Sequence, residues 1–117
     1  MDLEAARTAT NALFDLAGDM KSLFWQGSRA AAAAGADPVS NAQWWVLEHP
    51  GIQSQQDTFR HAVDLLADRG LLEEIAPEHI PGWHTQREAE VADVEAGIAH
   101  CAHRSSEALE DLRLALT

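Results

Sequence analysis

Three side chains near the C-terminal end have residue types and spacing that suit a metal site. His100, His103 and Glu107 stand at i, i+3 and i+7, within about 60° of one another on a helix. Two imidazoles and a carboxylate on one face would supply three ligands for zinc or another divalent ion, leaving a fourth to come from elsewhere. His79 and His84, beside Glu78, are the nearest candidates for that fourth position. No Cys-x-x-Cys or His-Glu-x-x-His spacing accompanies the trio, and the paired Glu-x-x-His of a di-iron bundle is missing. The trio also lies opposite an apolar stripe, where water reaches it, so the spacing is equally that of a solvated face. Cys101 falls on the stripe itself, where a free thiol serves as a small apolar filler. A nucleophilic thiol would need a base beside it and a depressed pKa, and the sequence offers neither. With no nucleophile–base arrangement, phosphate-cradling loop or paired-carboxylate pattern, the chain is expected not to be an enzyme. It is expected to need no cofactor, and no small-molecule substrate is evident.

A second set of residues is electrostatic. Glu73, Glu74, Glu78, Glu88, Glu90, Asp93 and Glu95 form the densest negative region of a chain whose net charge is −11. Such a surface could imitate a phosphate backbone and block the basic face of a nucleic-acid-handling complex, as an inhibitor does. Acids in first helical turns and loops also serve the helix dipole and solubility. The same charge excludes nucleic acid as a direct ligand, because duplex binding runs on cationic contacts to phosphates. It argues equally against anionic membrane surfaces. Trp44 and Trp45 are a third set. Neighbours on a helix point 100° apart, so both cannot face one interior. One is therefore a candidate partner contact, since aromatics concentrate at interface centres; the other reading is a small domain that wraps both.

The element that positions most of these groups is a final helix, about 86–116. Thr85 and Glu88 make a capping box, and helix-forming Ala, Leu, Glu and Arg dominate the residues after it. Val91, Val94, Ile98, Cys101, Ala102, Ser105, Leu109, Leu112 and Leu116 fall on one stripe. A rod from Thr85 to Leu116 is roughly 48 Å long, whereas a compact domain of this size is only about 35 Å across. Either the molecule is elongated, or the helix bends at Gly97, or a second chain covers the overhang. The heptad spacing of Val91, Val94 and Ile98 suits a long partner helix.

A first helix, about 3–34, is expected to match it. Asp2 caps it, Leu3, Ala6, Thr10, Leu13, Phe14, Ala17, Met20 and Phe24 make its apolar face, and five alanines carry it past Gly27 towards Gly35. Between the long helices come shorter pieces. One runs from Val39 to about Glu48, stopped because His49 precedes Pro50. Another is opened by Ser54 and Asp57 and capped by Gly70, with Leu71 folding back. Leu71 to Ile75 is ambiguous, and 76–83, with Pro77, Pro81 and Gly82, reads as loop. The fold class is thus all-α: one domain, 1–117, an elongated bundle of four to five helices, two of them long. A single cysteine excludes an internal disulfide, no apolar run is long enough to span a membrane, and the N-terminus lacks a signal-peptide pattern. Cytoplasmic residence is the expectation, with signal-less export open.

Trp25-Gln26-Gly27, between an amphipathic helix and Ser28-Arg29-Ala30-Ala31, resembles the W-x-G turn of the helical-hairpin substrates of type VII secretion. The resemblance covers about thirty residues and one three-residue motif. It implies a helical hairpin turning at Gly27 and action as a dimer with a related protein. The chain departs from the family in its four prolines and in having no tyrosine for the family's export signal.

The functional expectation is a non-enzymatic protein–protein interaction module. It would act through Trp44, Trp45, Val91, Val94 and Ile98, with a second copy of the chain as one candidate partner. The alternatives are the acidic inhibitor and a divalent-metal-binding helical protein.

Overall fold

A computed structural model describes residues 1–33, 35, 37, 49–75 and 94–117. The described elements are α1 (Leu3–Ala33), α2 (Pro50–Asp68), the single turn α3 (Leu72–Ile75) and α4 (Val94–Leu116). All are helical, as the sequence pattern requires, and the molecule is long: its principal extents are 51 × 23 × 23 Å, with a radius of gyration of 15.2 Å. The long axis is set by α1, whose 31 residues rise about 46 Å.

α1 begins where the capping argument places it. The Asp2 carboxylate accepts the Ala5 N–H at 3.0 Å, satisfying one of the donors that a helix N-terminus leaves free. The helix then runs straight through Gly27, so the W-x-G segment is helical and no hairpin turn occurs at that point. The alanines beyond it favour helix strongly enough to carry the chain past one glycine. Just after the helix ends stands Gly35, at φ +101.

α1 and α4 lie antiparallel along most of their lengths. The Asp2 N–H donates to the Ala115 carbonyl at 2.8 Å, pinning the start of one helix to the end of the other. Toward the opposite pole the Cys101 thiol donates to the Leu16 carbonyl at 3.0 Å. α2 packs on both with the same direction as α4. Its start meets Met20, Leu23, Ile98 and Cys101, and its end meets Ala6, Leu13, Leu112 and Leu116.

The core is therefore two clusters strung along the rod. Leu13, Leu66 and Leu112 anchor the one at the pole of the chain termini, closed by Ile75 of α3. Ile52, Met20 and Ile98 anchor the other. Each fully buried leucine or isoleucine contributes about 1.5–3 kcal/mol. Small residues bring α1 and α4 close between these anchors: Ala6, Ala9, Ala108 and Ala115 are all buried. Two buried hydroxyls fit the seam because each is satisfied within its own helix. Thr10 Oγ1 donates to the Ala6 carbonyl at 2.7 Å and Ser105 Oγ to the Cys101 carbonyl at 2.8 Å. Such back-bonding neutralises a polar group that would otherwise cost free energy in a dry interface.

Three expectations need correction. α2 opens at Pro50, a turn earlier than Ser54, because proline at the first helical position has its φ preset and no N–H to leave unsatisfied. The His49–Pro50 pair is thus a start signal as well as a stop. Asp57 does not cap; its Oδ1 accepts from Gln53 Nε2 at 3.0 Å along the exposed helix face. Leu3, expected on the core face, is 41% exposed, since it lies at the tip of the rod beyond the reach of α2. The C-terminal end of α2 matches expectation. Gly70 adopts φ +67, its N–H donates to the Ala67 carbonyl at 3.0 Å, and the Leu71 N–H donates to the Leu66 carbonyl at 2.9 Å. Those two bonds are the Schellman cap, and Leu71 completes it by packing on the core. The expected helix at 39–48 and the stretch 86–93 of the final helix lie outside the described residues.

Candidate functional site: a groove between the first and second helices

Among the described residues, those singled out by chemistry are not brought together. His100, His103 and Glu107 are all exposed on α4. Only the last two meet, His103 Nε2 lying 3.1 Å from Glu107 Oε1 one turn along the helix. Among the described residues no three of His, Cys, Asp and Glu converge as metal ligands. On α4 the three side chains are exposed, and the residues expected to complete the set, His79, His84 and Glu78, lie outside the described residues. Of the acidic set, Glu73 and Glu74 are exposed on α3. Glu78, Glu88, Glu90 and Asp93 lie outside the described residues, as do Trp44, Trp45, Val91, His79 and His84, and the side chain of Glu95 is likewise outside them.

Val94 and Ile98, expected to face a partner, are taken up by the chain itself. Ile98 is 3% exposed and packs with Met20, Leu23, Ile52 and Cys101, and Val94 lies against the same cluster. The seam of α4 is covered here by α1 and α2, so this part of the expected docking face is corrected to core. Gly51 shows how closely α2 crosses that seam: a Cβ there would stand 3.0 Å from Ile98 Cγ2 and 3.5 Å from Ala102 Cβ. Cys101 is the filler that its stripe position suggests. Its thiol is pushed up to about 12, chiefly by desolvation and secondarily by the Asp19 carboxylate, against a lowering hydrogen bond from the Met20 backbone. A thiol in that state supplies no nucleophile at neutral pH.

What the sequence does not announce is a trough between the first two helices. α1 and α2 line an apolar space of about 610 Å³. Phe24 and Trp25 of α1 form one wall and Ile52, Phe59 and Val63 of α2 the other. Trp25 is 40% exposed at the lip, a large aromatic surface left in water. Its ring meets Phe24 edge to face at 5.3 Å. Phe59 is held similarly against Phe14, 4.9 Å between centroids with planes at 71°. Edge-to-face pairs of this kind add about 0.5–1.5 kcal/mol each beyond the area they bury.

The polar groups at the trough are few and one-sided. Lys21 of α1 and Arg60 of α2 line it, and none of the described residues lining it is acidic. That is a local reversal in a chain with 19 acidic and 8 basic residues. Gln55 also lines it, only 3% exposed, with its Nε2 lacking any hydrogen-bond acceptor. A buried amide donor left unpaired costs free energy, so this one stands out.

Phe59 and Val63 are legible in the sequence as the apolar face of α2, but that face is wider than α4 and α1 together can cover. This excess is the one signal the sequence carries for the trough. Among the described residues no helix is long and apolar enough to cross a membrane. Compared with protein-family models, curated proteins and solved structures, the chain matches none of them.

Proposed function

We propose that this protein is a non-enzymatic interaction module that receives a segment of another protein in the trough between α1 and α2. The observation that supports this reading is the apolar space of about 610 Å³ with Trp25 standing 40% exposed at its edge. Contiguous apolar surface on a monomer marks a contact site more often than it marks indifference, and tryptophan is among the residues most enriched where binding energy concentrates. The trough is bordered by two helices over about two to three turns, from Ala17 to Trp25 and from Ile52 to Val63. That is the span an amphipathic helix uses when it lays its apolar face into a groove.

The proposed contact lies between α1 and α2, whereas the sequence pattern points to the seam of the final helix. Its test is a paired capture from the native cell, with the wild-type chain and Phe59→Glu as baits after circular dichroism has established equal helicity. A protein retained by the wild type and lost with Phe59→Glu supports docking in the trough. Identical capture profiles for the two baits would eliminate the trough as the docking site.

A further inference from the structure

We draw no further inference here: the strongest candidate, the apolar trough between α1 and α2 walled by Phe24, Trp25, Phe59 and Val63, belongs to the site already described, and nothing in the structure selects the chemistry of what fills it.

Discussion

Cys101 and Leu16, 85 residues apart in sequence, are joined by a thiol-to-carbonyl hydrogen bond of 3.0 Å that fixes the register of α4 on α1. Because the same contact buries the sulfur, Cys101 is 2% exposed and its thiol is pushed up to about 12 from an ordinary value of 9.0. The folded chain holds this proton where the unfolded chain has lost it. Stability from this group is therefore complete below pH 9 and declines as the pH rises toward 12, by about 1.4 kcal/mol per unit. Denaturant melts of wild type and Cys101→Ala at about pH 8 and about pH 10.5 should show the gap between them closing at the higher pH. A gap that stays constant would remove the linkage.

The anchors of the terminal-pole cluster should dominate global stability. Leu112 and Leu66 are both 0% exposed. Leu112→Ala should cost about 2–5 kcal/mol, since transfer and cavity terms add in a core that cannot collapse onto the gap. Exposed Leu114, 63% accessible on the same helix, is the control, and its truncation should change stability by under about 0.5 kcal/mol. Urea unfolding with unchanged slope separates the two.

Two glycines should fail for different reasons. A Cβ on Gly70 meets nothing within 4 Å, yet its φ is +67. Gly70→Ala should therefore lose about 1 kcal/mol purely through backbone conformation. Gly51→Val introduces a branched side chain where even a Cβ would come within 3.0 Å of Ile98 Cγ2. That overpacking should cost about 1–3 kcal/mol. It should also shift the amide resonances of Ile98 and Ala102 across the crossing, whereas changes from Gly70→Ala stay local.

Removing the Gln55 amide should stabilise the chain. Its Nε2 is buried without an acceptor, and removing an unsatisfied buried donor relieves a penalty of about 1–3 kcal/mol. Gln55→Leu should therefore raise the melting temperature of the isolated chain. Should the variant prove less stable than wild type, the amide is satisfied in solution.

Periodicity and capping chemistry are enough to place the described helices. The buried positions Ala6, Thr10, Leu13, Met20, Ile98, Ser105 and Leu112 recur at helical spacing, and Asp2 and Gly70 mark ends by side-chain and backbone chemistry that is local in sequence. The start of α2 is harder to place because His49–Pro50 carries two meanings, and only the packing of Ile52 into a core decides between them. The trough escapes a sequence reading for a deeper reason. Phe24 and Trp25 belong to one helix and Phe59 and Arg60 to another, and whether their faces meet each other or water depends on the angle at which α1 and α2 pack. No spacing rule encodes that angle. The histidine trio illustrates the converse: the spacing is right for one face, but a metal site also needs a concave surround, which α4 alone does not build.

The bond from the Asp2 N–H to the Ala115 carbonyl brings residues 2 and 115 side by side. A handful of glycines and serines would close the chain into a ring, and new ends opened elsewhere should yield a permuted protein with the same helices. Grafted into a host loop, the whole rod would stand on a narrow base and carry its aromatic trough toward the far tip.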